Sequence, residues 1–351
     1  MFALLVFVQC EEDDNEINKE NQLENVLPSS FKVDIPDALS NTTYLKRAKA
    51  HDTIEGQDVY KNMNHFIHVG EAAADVVDEI IQSIATYNLG DSLELTYTSK
   101  DDNREKHLVV KENVNFDNNQ WEHQFTIYDT GSAENQDEGK AIQVFWNSDP
   151  IDGIALIKPY NLDRTNNSNA GEAMYRIDYS EVGNKGYDRE MTVYIDSFPG
   201  KNSNDPYHMT NLKLFAGRKG DYIDVIGTSI HPDAYLFIVD QTGLAWTFIG
   251  SSNRETEMGT AKVSLPPHTL DESNSDTLLE KYSMYHVMYN QAEKIIMNKL
   301  VEKHGQAWME LVRDKDWFQD TLQNYIEPYM AEVKSPGYFN NGGFVAAGTA
   351  P

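Results

Sequence analysis

The chain has 351 residues, with 56 acidic side chains against 29 basic ones and a net charge of −27. Such a surface repels phosphate backbones and anionic headgroups, so nucleic acid is disfavoured as a partner. Hydrophobic residues make up 40% and Cys10 is the only cysteine, so a core is affordable while an intramolecular disulfide and a Cys-rich zinc site are excluded.

Residues Phe2 to Val8 form an apolar run. It is far short of the roughly 20 residues that a spanning helix needs, and close to the apolar segment of a secretory signal. Gln9 and Cys10 follow, then Glu11, Glu12, Asp13, Asp14, Asn15 and Glu16. This stretch resembles the signal region of Bacteroidota lipoproteins. The resemblance implies a lipid on Cys10, an acidic export signal after it and a place on the outer membrane or cell surface. It covers residues 1–10 and the acids beyond, and none of the body. An acyl anchor works by burying methylenes, at about 0.8 kcal/mol each.

Residues 11–30 carry seven acids and one lysine, and the reading is an acidic tether over 11–35. The body is expected over 36–335 as a single α+β unit. Its first element is a long N-terminal amphipathic helix over 58–89. Met63, Phe66, Ile67, Ala73, Ala74, Val77, Ile80 and Ile81 fall on one stripe there, and Gly90 supplies a stop.

From 93 to 265 the period changes to two. Leu93, Leu95 and Tyr97 alternate with polar residues, as do Trp121, His123, Phe125 and Ile127, then Met191, Val193 and Ile195, then Leu212, Leu214 and Ala216. About a dozen short strands are expected, split by turns at Asp129-Thr-Gly, Asp152-Gly153, Arg218-Lys-Gly-Asp221 and Gln241-Thr-Gly243. No crossover segments separate them, so the large sheet should be antiparallel. C-terminal helices are expected over 276–333, with Thr277 and Glu280 as a capping box, and a loose tail over 336–351. The sheet is expected as a half-barrel or a sandwich. In order of elements the chain resembles the LolA-like half-barrel carriers of lipoproteins and lipids.

Four groups of residues are candidates for chemistry. His65 and His68 are three apart on the first helix, beside Glu71 and Asp75, a spacing at which metal ligands share a face. The competing reading is a solvated flank. Residues 161–172, with oxygen-bearing Asn161, Asp163, Thr165, Asn167 and Asn169 and Glu172 at the twelfth position, echo a calcium loop, but Asn166 stands sixth where that loop needs glycine; weak calcium binding elsewhere on the acidic surface stays open. An ordinary polar hairpin loop competes with it. Trp121, Trp146, Tyr175 and Tyr194 are candidate stacking platforms, against cross-strand packing. Ser229, His231 and Asp233 lie within five residues, but catalytic triads assemble from distant segments. Alternate strand residues share a face, but three in a row would not point at one another, so they are read as a strand end running into a His-Pro-Asp turn. Nucleophile elbows, phosphate-binding glycine loops and His-Glu-x-x-His motifs are absent from the sequence.

The functional expectation is a membrane-anchored extracytoplasmic protein that binds a lipophilic or glycan ligand without transforming it and needs no cofactor. Its alternatives are a surface polysaccharide hydrolase or lyase, and a structural component of an envelope complex.

Overall fold

The computed structural model describes residues 27–40, 56–86, 94–199, 207–234, 243–270, 281–283 and 287. Cys10, the signal, most of the expected C-terminal helices and the tail lie outside the described residues.

Eleven strands form one antiparallel sheet in sequence order: β1 (Glu94–Thr98), β2 (Glu105–Phe116), β3 (Asn119–Asp129), β4 (Lys140–Ser148), β5 (Ile151–Ile157), β6 (Met174–Ser180), β7 (Arg189–Asp196), β8 (Asn211–Lys219), β9 (Tyr222–His231), β10 (Leu244–Asn253) and β11 (Met258–Ser264). Each strand pairs with its neighbours in the chain, and β1 does not pair with β11, so the sheet is open. Hairpins alone build it, because short links suffice for antiparallel neighbours. The tip between β2 and β3 is a two-residue turn, Asp117-Asn118, with φ of 52° and 63°. This is the positive-φ geometry that matches strand twist.

One face is apolar from end to end. A single cross-strand row runs Val110, Phe125, Val144, Ala155, Ile177, Val193, Leu214, Gly227, Phe248 and Val263. Side chains two apart on a strand share a face, so the alternation seen in the sequence becomes this inner surface. Three helices accompany it: α1 (Asp37–Ser40), α2 (Gly56–Thr86) and α3 (Pro159–Leu162).

The apolar stripe of α2 lies on the inner face. Met63, Phe66, Ile67, Ala74, Val77 and Ile81 are buried in the same cluster as the sheet row. Burial of each large side chain contributes roughly 1.5–3 kcal/mol. The helix crosses the strands obliquely. Val59 meets Trp246 of β10, Gly70 lies against Leu214 of β8, and Asp78 meets Phe31, whose ring packs 5.4 Å from that of Tyr179 on β6. A Cβ at Gly70 would lie 2.5 Å from Leu214 Cδ2, so any larger residue there must push the Leu214 side chain aside.

Two expectations need correction. Residues 27–35 are not part of a loose tether. Phe31, Val33 and Ile35 are buried, and the segment is strapped along α2. Asp78 accepts from the Phe31 N–H at 2.5 Å, Glu71 from the Ile35 N–H at 2.9 Å, and Asp75 pairs with Lys32 at 2.5 Å. The acids of the preceding stretch masked this alternation of apolar residues. Asp152-Gly153 is not a turn either. Both lie inside β5, and Gly153 makes room for the Phe31 ring, which a Cβ would meet at 2.6 Å.

Candidate functional site

The end of β9 and the first half of α2 meet in a seam. Ser229 and His231 alternate on β9 and both point inward, opposite Trp246 and Leu244 of β10. Both are 0% exposed. Ser229 Oγ and His231 Nε2 are 2.7 Å apart, a firm hydrogen bond. Ser229 and His231 thus face one another at the strand end expected here, while Asp233 does not join them. On a strand, i and i+2 side chains share a face, and a long ring leaning along the strand reaches its neighbour.

Aromatic rings enclose the pair. The His231 ring lies 4.4 Å from Phe66 of α2 and 4.7 Å from Trp246. Its Nδ1 has no well-aligned partner, although the backbone of Tyr207 and His208 lies alongside. Burial pushes the imidazole down to about 3, and the nearby His208 and His65 add to that, against those backbone contacts. His65 is also held below its ordinary value, by burial and then by His68.

Asp233 does not complete a triad. It sits 3.6 Å from His208 Nδ1 instead. A nucleophile needs an orienting base and also a path for substrate. Ser229 has the base and, sealed beneath Phe66 and Trp246, lacks the path in this conformation.

The other sequence candidates are scattered. His65 is half-buried at the seam while His68 points to solvent, and the carboxylates of Glu71 and Asp75 are taken by the strap. Asp163 Oδ1 accepts the N–H groups of Thr165 and Asn166, an Asx turn that closes α3, while Glu172 is exposed. Among the described residues no group of three or more His, Cys, Asp or Glu is placed to hold a metal ion.

Trp121 is buried in a second apolar cluster with Phe145, Ile154 and Leu156. Trp146 is buried under His123, with rings stacked at 5.2 Å. Tyr194 carries Lys213 over its ring at 4.9 Å, and Tyr175 is half-buried, its phenol pushed up to about 12 by burial. These aromatics pack within the body and do not form one exposed platform.

Sequence reasoning missed a charged network at the β2–β4 end of the sheet. Asp129 is 0% exposed and takes a bidentate pair from Arg104, at 3.1 and 2.8 Å from Nε and 2.9 Å from Nη2. Arg164 lies 3.0 Å and Lys106 4.0 Å from the same carboxylate. Lys106 also donates to Asp102 and to the Asn161 carbonyl. Burial alone would raise the Asp129 carboxyl, but Arg104, Lys106 and Arg164 outweigh it and hold the group below the usual carboxylate range. All its buried donors but Arg164 Nε, which is 3.0 Å from Asp129 without hydrogen-bond geometry, are partnered, and the network reads as a structural clamp.

Comparison with known protein families, with curated proteins and with solved structures finds no match.

Proposed function

We propose that this chain is a lipid-anchored extracytoplasmic binding protein that holds a lipophilic ligand against the inner face of its sheet, without transforming it. One observation carries the reading. The apolar inner face continues past the strands that α2 contacts most, β6–β8 and β11, to Leu95, Tyr97 and Val110 on β1 and β2, which are only half-buried. An apolar surface that is continuous with the core and thinly covered is where a hydrophobic ligand gains most from leaving water.

An open sheet with a helix on one face is similar to a half-barrel carrier, the finer architecture favoured here. A glycan platform has less support, since Trp121 and Trp146 are buried. Hydrolysis has less, since Ser229 is sealed. The lipid anchor on Cys10 remains part of the proposal, and its mass in the native host tests it.

For the ligand, the full chain purified without detergent is extracted with organic solvent and titrated with the apolar dye N-phenylnaphthylamine. The expected result is saturable dye binding that co-extracted lipid displaces and that Leu95→Glu weakens at least tenfold. Absence of saturable binding, or binding that Leu95→Glu leaves unchanged, overturns the reading.

A further inference from the structure

Three imidazoles from separate stretches of chain converge on one seam. His65 comes from α2, His208 from the segment before β8, and His231 from the end of β9. Nδ1 of His65 and Nε2 of His208 are buried without a hydrogen-bond partner in the protein, Nδ1 of His231 has only the poorly aligned backbone of Tyr207 and His208, and Nδ1 of His208 lies 3.6 Å from Asp233. Buried polar groups are nearly always paired, so three such rings in one place need a reason.

The seam itself is apolar. Phe66 packs on His231 and meets Trp246 edge-on at 5.6 Å, and Trp246 reaches across to the Val59 carbonyl. Few charged or titratable groups face the cluster. α2 supplies His68 on the solvent side of His65. The turn after β9 supplies Asp233, beside His208. β10 contributes Trp246, which carries no charge, and His268 lies against Gly243 at the start of that strand, its Nδ1 also without a partner. Among the described residues no carboxylate forms an ion pair with His65 or His231.

We propose that the seam is an acid-operated latch: as pH falls, protonation of His231 and His65 lifts the first half of α2 away from β9 and β10 while the rest of the sheet stays folded. Protonated in this seam, His65 and His231 would have no carboxylate counter-charge among the described residues, and the Tyr207 and His208 backbone beside His231 offsets its burial only in part, so the charge is better accommodated in water. Opening supplies that water. The second half of α2 is held differently, through Asp78, Glu71 and Asp75 to the strap. The far end of the sheet is held by the Asp129 network. These two clamps confine the movement to the seam. A latch of this kind would uncover the inner face beneath α2, but its argument stands on the histidine geometry alone and needs no ligand.

The test is hydrogen exchange of the full chain, followed by mass spectrometry at pH 7.0, 5.5 and 4.5 and corrected for intrinsic exchange rates. Segments 59–70 and 244–250 should lose protection. Their opening equilibrium should rise about tenfold per pH unit below 6.5 for each proton taken up. Segment 140–157 should stay protected. His231→Phe keeps the bulk and removes the proton site, so the response of the seam should flatten. If that variant fails to fold, His65→Gln decides, and it should respond less steeply than the wild type. Unchanged protection of the seam down to pH 4.5, equal loss in all three segments, or a variant that responds like the wild type overturns the latch.

Discussion

Trp246 donates its indole N–H to the carbonyl of Val59 at 3.2 Å, which ties the first turn of α2 to the start of β10. The two residues are 187 positions apart, and the bond is buried. Trp246→Phe keeps an aromatic ring in the seam and removes the donor. A lost buried hydrogen bond together with the smaller ring should cost about 2 kcal/mol. Urea unfolding followed by far-ultraviolet circular dichroism should give a lower midpoint with an unchanged slope.

The Phe31 ring sits where a side chain at Gly153 would be. An added Cβ would lie 2.6 Å from Phe31 Cζ and 2.6 Å from the Phe145 carbonyl oxygen. The ring can leave but the backbone of β4 cannot. Gly153→Ala should therefore expel Phe31 and loosen the strap, at about 1–3 kcal/mol. Limited proteolysis should then cut within residues 27–35, which the wild type protects, while the strand core remains intact.

The sheet was legible because period-two alternation is written locally. Met191, Val193 and Ile195 alternate in the sequence and line the inner face in the structure. The turn at Gly220-Asp221 was equally plain, since Gly220 takes a φ of 57°. What the sequence hid depends on distant partners. Gly153 looks like a turn residue until Phe31, over a hundred positions earlier, is seen against it. Asp129 looks like the start of a loop until Arg104 and Lys106 at the start of β2 and Arg164 after α3 are brought to it. Ser229 and His231 were singled out, but their contact depends on how the histidine ring leans at a strand end, which spacing does not encode. Trp121 follows the alternation of Phe125 and Ile127 and yet joins a different cluster. The β2–β3 ladder skips Asn113, which has φ of 54°, and keeps the same register on either side of it.

Acid should act on the molecule in two stages. The His231 imidazole is depressed when folded, so the unfolded or opened state binds protons more readily. Its stabilising contribution is complete above pH 6.5 and declines as pH falls from there toward about 3. Over that range the loss is on the order of 4 kcal/mol for so buried a group. Asp129 is a carboxylate held below its usual range, so its contribution is complete above about pH 4 and is lost as pH falls further. Weakening between pH 6.5 and 4 should thus belong to the seam, and collapse below pH 4 to the Asp129 end. Asp129→Asn leaves the surrounding cations without their counter-charge and should cost about 3–5 kcal/mol at pH 7. Thermal melts from pH 7 to 3 should show its deficit shrinking below pH 4, where the wild-type carboxyl is itself neutralised.

Ser229 and His231 have the spacing of a nucleophile and its base, so labelling gives a sharp contrast between two roles. If the pair is a structural pin, as its burial argues, a fluorophosphonate probe should leave native protein unlabelled at pH 7, because the hydroxyl is 0% exposed and lies under Phe66 and Trp246. Ser229→Ala should then act on stability alone. It strands the Nε2 of His231 without its partner, at about 1–2 kcal/mol. His231→Phe in the same background should remove most of that penalty, since an apolar ring has no partner to lose, and a double-mutant cycle over the two positions measures the coupling. Stoichiometric labelling of Ser229 in the folded protein would instead show that the hydroxyl is reachable and that the pair is a working nucleophile.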